Sequence, residues 1–176
     1  MKKNLKKRRG MGLLFCLVLI LAFCLVCYSA QEKMKIGGEV TVKYLTREFH
    51  EIGNAEAHVV SLSTLEGINK CTGEQTFMDG AKVLITGMSD TTQGNGASWG
   101  YARMTQEDDE VIAKYKGKVT TTISEGNPIT TYEVEAEFIM GAGKYANIKG
   151  GYKAKAKVIS ETEIAIQWQG EYIIKE

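Results

Sequence analysis

The chain has 176 residues, 24% of them charged, and a formal net charge of +1 that hides an asymmetry. Six of its 22 Lys plus Arg lie before residue 10, so the remainder carries 16 against 21 Asp plus Glu, a net of −5. A mildly acidic remainder with dispersed charges excludes the electrostatic footprint of a nucleic-acid or anionic-lipid binder.

The first element is a leader. Lys2, Lys3, Lys6, Lys7, Arg8 and Arg9 precede an uncharged apolar run from Met11 to about Tyr28, the pattern of an export signal. Cys27 and Ser29 supply the small residues before a cut between Ser29 and Ala30, which makes 1–29 a signal peptide. A run of about 18 apolar residues can also span a bilayer, so a retained anchor is the alternative. Lipidation of Cys16, Cys24 or Cys27 is disfavoured because Phe15, Phe23 and Val26 stand where a lipobox wants a small residue. In either case the rest of the chain is exported, to the periplasm or beyond, with a membrane-anchored form as the alternative. Of the four cysteines, only Cys71 lies outside the leader. No intramolecular disulfide can form there, and about 147 residues must be held by their core alone.

Residues 30–38 read as a short lead-in, and 39–176 as one β domain. Apolar residues recur at every second position, and no helical segment is evident. The alternation predicts strands over Glu39–Phe49, Ala57–Leu65, Ala81–Ser89, Ala97–Thr105, Glu110–Ile123, Ile129–Met140, Gly150–Ile159 and Glu163–Ile174, with a short extra piece at Glu74–Met78. Gln106–Lys116 could form a helix from its Glu and Ala content. Val111, Ala113, Tyr115, Gly117 and Val119 nevertheless share one face at period two, which favours strand. Turn chemistry marks Ile52-Gly53-Asn54, Met78-Asp79-Gly80, Gln106 to Asp109, Glu125 to Pro128 and Ser160 to Thr162. Thr91 to Gly96 reads as the most flexible loop. Eight strands joined by short connections suggest a barrel or sandwich, and closure avoids exposed edges. The fold class is therefore all-β, an eight-stranded antiparallel closed barrel.

The stretch Thr131 to Ile159 carries the strongest signal. Glu133, Glu135 and Glu137 alternate with apolar residues on one strand, and Lys153, Lys155 and Lys157 do so on the next. Folding back near Tyr145 would set Glu137 opposite Lys153, Glu135 opposite Lys155 and Glu133 opposite Lys157. Between them, Gly141-Ala142-Gly143-Lys144-Tyr145-Ala146-Asn147-Ile148-Lys149-Gly150-Gly151 resembles the glycine motif of the allene oxide cyclase and dirigent superfamily. Ala97–Val119 is similar to the strand, acidic turn and strand of its exported bacterial members. The resemblance implies an eight-stranded barrel with an apolar lumen open at one end, and self-association into dimers or trimers. In plant members the lumen hosts cyclisation of an unsaturated fatty-acid epoxide or steers phenoxy-radical coupling. The acidic and polar lumen residues those activities need have no identifiable counterparts here.

Candidate site residues follow from the alternation. Ala136, Ala154 and Ala156 stand on the inward set between Phe138, Tyr152 and Val158, leaving room for a ligand. Trp99, Tyr101 and Arg103 share a face that offers aromatic walls and a cation if it points inward, or a contact patch if outward. Trp168 lies on an apolar face with Ile164, Ile166 and Tyr172. The ligand-binding set is thus Trp99, Tyr101, Arg103, Phe138, Tyr152 and Trp168. His58 and Asp90 are the acid–base candidates, Asp90 because it would end a strand at the barrel mouth. His50 and His58 could approach across their turn beside Glu51, but the spacing matches no metal motif, and neither metal nor cofactor is expected. Cys71 sits in a loop beside Lys70, which would lower its pKa modestly.

The expected function is an exported barrel binding a small apolar or amphipathic molecule without turning it over. Two alternatives stand beside it. One is a cyclase or isomerase acting on an unsaturated lipid-like or phenolic substrate in the same lumen, and the other a non-enzymatic envelope interaction protein with a filled barrel. No nucleic-acid partner and no membrane contact beyond the leader are expected.

Overall fold

The alternating segments pair into a ring. The computed structural model describes residues 33–72 and 76–175. Its strands are β1 (Met34–Glu51), β2 (His58–Ile68), β3 (Lys70–Cys71), β4 (Lys82–Thr92), β5 (Asn95–Gln106), β6 (Asp109–Ser124), β7 (Asn127–Ala142), β8 (Ile148–Val158) and β9 (Glu163–Ile174). All adjacent pairs are antiparallel, in the order β2-β4-β5-β6-β7-β8-β9-β1, and β2 pairs with β1 to close eight strands. Closure depends on the length of β1. It pairs with β9 over Met34–Lys43 and with β2 over Val42–Glu51, so one strand staggers across both neighbours. The expected all-β closed barrel is therefore the fold. The leader expected over 1–29 lies outside the described residues.

Three local expectations change. β1 starts at Met34 rather than Glu39, because Ile36 is buried and Met34 already pairs with Tyr172. Thr91–Gly96 is no loose loop: Gln93 and Gly94 alone form the turn, at φ 51 and φ 74, and the rest lies in strand. Positive φ at both central residues is the hairpin geometry whose twist matches that of the flanking strands. The extra piece expected at 74–78 is instead β3 at Lys70–Cys71, pairing with Gly38–Glu39, while Phe77 to Gly80 is turn. Glu74 and Gln75 lie outside the described residues. β6 is a strand, and Val111, Ala113 and Val119 are buried on its expected inner face.

The charged hairpin is displaced by two residues. Glu135 faces Lys153 and Glu133 faces Lys155, while Glu137 faces Gly151 and Lys157 faces Thr131. The ion pairs measure 2.9 and 3.3 Å. A two-residue shift keeps every side chain on its face, so the ladder stays outside. The shift arises because Tyr145 is not at an exposed apex. Gly143–Tyr145 form one 3₁₀ turn that buries Tyr145, and β8 begins only at Ile148, also buried. Asp109 anchors this turn from the neighbouring hairpin, accepting from Lys144 N at 2.9 Å and pairing with Lys144 Nζ at 2.8 Å.

One end of the barrel is plugged. β3 keeps the register of β2, so the strand is interrupted at Asn69, whose N–H donates to Ala81 O and whose C=O accepts from Gly80 N, both at 2.9 Å. The loop swings inward and delivers Phe77 against Phe138, Tyr145, Trp168 and Tyr172, with ring centroids 4.9–6.0 Å apart. Met78 and Ala81 are fully buried beside it.

Candidate functional site

The other end of the lumen keeps an opening, and a break in alternation decides what stands there. On β1, Val40, Val42 and Tyr44 point inward. At Leu45 the register against β2 slips: Tyr44 faces Leu65 while Thr46 faces Thr64, so Leu45 is an extra residue. Such a β-bulge shifts the parity of everything after it. As a result Arg47, rather than Thr46 or Glu48, lines the lumen. Its guanidinium carbon lies 4.5 Å from the centroids of both the Tyr44 and Phe49 rings.

Behind Arg47 is a cavity of about 110 Å³. Its wall combines Tyr115, Tyr132 and Tyr152 with Ser61, Ser63, Ser89 and Ser98. Val42, Leu65, Ile85, Val134, Ile164 and Ile166 contribute to the apolar part, and Ala154 and Ala156 give the small positions on β8 that leave the space open. Ser61 Oγ and Ser89 Oγ lie 2.7 Å apart, and Tyr115 hydrogen-bonds Ser98. Tyr115 lies along the inner wall over Gly100 of the neighbouring β5, until its hydroxyl meets β4 at Gly87, where any Cβ would collide with it. Glycine is required there by close approach, not by a turn.

The tyrosines are held neutral. Burial, reinforced by Tyr44, pushes the Tyr132 phenol up to about 12 against a partial opposing effect of Arg47. Burial also raises Tyr152 and Tyr115 above the ordinary phenol value. The lumen therefore presents hydroxyl donors and one cation, and among the described residues its wall includes neither carboxylate nor histidine. The sign of the linkage is definite. Well below pH 10 the Tyr132 phenol is protonated in both states. Between pH 10 and about 12 the unfolded chain loses the Tyr132 proton while the folded chain keeps it, so stability falls as pH rises through this window. Ultraviolet phenolate titration should show a phenol ionising near 12 that Tyr132→Phe removes. A wild-type profile with every phenol ionising near 10 would contradict this burial.

The residues expected from sequence divide. Tyr152 lines the cavity. Phe138 and Trp168 are buried and stack through Tyr152 at 5.8 and 5.7 Å, as part of the aromatic packing that continues to the plug. Trp99, Tyr101 and Arg103 are exposed on the outside of β5, which corrects their placement in the lumen. Ser98, Gly100, Ala102 and Met104 face inward instead, and the missing side chain at Gly100 makes room for Tyr115 to lie over β5. Arg103 pairs with Glu110 at 2.7 Å.

His58 and Asp90 do come together, Nε2 to Oδ1 at 2.8 Å, with Nδ1 bound to Asn54. By alternation, however, they lie on the face opposite Ser61 and Ser89, so Asp90 does not enter the mouth. This cluster ties the β1–β2 turn to β4. His50 is exposed, 4.0 Å from Glu48, and among the described residues no group of three or more His, Cys, Asp or Glu could hold a metal ion. Cys71 departs from expectation. Burial and then the charge of Asp79 push its thiol up, while Lys70 is engaged with Glu39 at 3.4 Å. Its S–H donates to Phe77 O at 2.9 Å.

Arg47 and Asn69 are the residues that sequence reasoning missed. Nothing in Thr46-Arg47-Glu48 marks a bulge one residue earlier.

Neither a family model nor a curated protein matches the chain. Among solved structures it is similar to two pterocarpan synthase dirigent proteins. For PsPTS1 the identity is 9% and the TM-score 0.46, covering 82% of this chain and 97% of that one. For GePTS1 the identity is 9% and the TM-score 0.44, covering 84% and 92%. The barrel described above rests on this chain's own strand pairing.

Proposed function

We propose that this protein is an exported barrel that binds a small apolar or amphipathic molecule in the open end of its lumen without turning it over. The observation that carries this reading is the cavity of about 110 Å³, whose wall combines apolar side chains with tyrosine and serine hydroxyls. Binding pockets combine an apolar wall with a few placed polar groups in this way. The cyclase or isomerase alternative needs a proton-transfer carboxylate or histidine facing the lumen. The described lining offers only neutral tyrosines, serines and Arg47. The basic and apolar leader supports export, and N-terminal sequencing of the protein recovered outside the cytoplasm tests it.

An outer feature supports self-association beside this reading. Leu62, Met88 and Trp99 are in register across β2, β4 and β5, each exposed, which makes an apolar row on the outside of the barrel.

The binding test uses toluene, phenol and indole as probes with methyl-detected NMR. Shifts should concentrate at Ala154, Ala156, Ile164 and Ile166. Ala156→Leu fills the cavity and should abolish them while leaving the strand resonances in place. If no probe moves these methyls in a folded protein, the lumen reading fails.

A further inference from the structure

The mouth is electrostatically one-sided. Arg47 brings a guanidinium to the cavity, and among the described residues no carboxylate forms an ion pair with it. Tyr44 and Phe49 instead hold it by their ring faces, which leaves its N–H groups unspent. Around it, Ser61, Ser63 and Tyr132 offer hydroxyls, and no described lining residue brings a negative charge. A cation ringed by donors favours an anion over a neutral or cationic guest.

Size and shape narrow the guest further. An enclosed apolar space of roughly 150 Å³ holds benzene, so about 110 Å³ open at one end suits one ring with its polar group at the mouth. The tyrosine faces favour a flat ring. A single planar guanidinium matches the two oxygens of a carboxylate, whereas a phosphate dianion would want further cations, and no other cationic residue lines the cavity.

We propose that the open end of the lumen selects a one-ring aromatic carboxylate, with the ring in the cavity and the carboxylate on Arg47. This rests on the lumen-binding reading above and adds the charge and the class of the guest.

The test compares benzoate with benzamide, which has the same shape and no charge, on the full barrel by NMR titration. Wild-type protein should bind benzoate about tenfold or more tightly than benzamide. Arg47→Gln should remove that preference, while Arg47→Lys should retain part of it. Melting temperatures check that both variants fold. Benzamide binding as well as benzoate, or a preference that survives in Arg47→Gln, would overturn the anion site and leave the lumen reading standing. Failure of both probes would overturn this proposal as well, and the toluene, phenol and indole titration then decides the lumen reading separately.

Discussion

Phe77→Ala should lower stability by about 3–5 kcal/mol, the range for truncating a well-packed buried phenylalanine. The ring is 2% exposed and touches four other aromatic residues drawn from β7, β9 and the β7–β8 turn. Among the described residues no other aromatic ring stacks with all four, so its loss leaves a cavity that the surrounding strands cannot collapse to fill. For a barrel of this size the melting temperature should fall on the order of 10 °C. The mouth lies at the other end, so a variant that still folds should bind small probes as before. A loss below about 1 kcal/mol would show that the plug is dispensable and that the ring alone holds the fold.

Asn69→Ala should cost about 2 kcal/mol, by a different mechanism. Asn69 is 1% exposed and spends its whole side chain. Its amide donates to Met78 O at 2.8 Å and Phe77 O at 3.2 Å, and its Oδ1 accepts from Trp168 Nε1 at 3.1 Å. The alanine variant keeps the backbone bonds to Gly80 and Ala81 and leaves Met78 O its bond from Ala81 N at 3.1 Å, but strands the indole N–H of Trp168 in a dry core. That orphaned donor costs about 1–3 kcal/mol. Phe77 O keeps the Cys71 thiol as a donor, which limits the damage. Asn69→Asp should be worse at neutral pH, because it sets a charged acceptor against two carbonyl oxygens. Denaturant unfolding followed by Trp168 fluorescence measures both variants. Equal stability of Asn69→Asp and wild type would refute the donor role. Combined with Phe77→Ala, the loss should be less than additive, since both release the same loop.

How far the sequence could be read differs between wall and lumen. The eight ring strands, the inward face of β6 and the outward charge ladder were all legible, because side-chain alternation is a local property of extended chain. The ladder came out two residues from its simplest pairing. Glu and Lys repeat every second residue, so the charges alone tolerate any even shift, and the burial of Tyr145 and Ile148 chose among them. On β5 the same alternation left both faces open. Trp99 and Tyr101 are the larger and more apolar pair, yet they point out, because Tyr115 lies over the inner face of β5 at Gly100.

The site shows the limit most clearly. Reading β1 at an unbroken period of two places Arg47 outside, and only its pairing with β2 reveals that Leu45 is an extra residue. Asn69 likewise looks like an ordinary loop asparagine, until the ring closes and brings Trp168 to it across 99 residues of chain.

By itself, then, the sequence determined that this chain is a set of two-faced strands with a charged outer ladder, since each residue's face depends on its immediate neighbours. Only the tertiary structure decided which face of β5 is inner, where the lumen is plugged and which cation guards its mouth. Those outcomes depend on the finite volume inside a closed ring and on pairings between distant strands, and no local pattern encodes either.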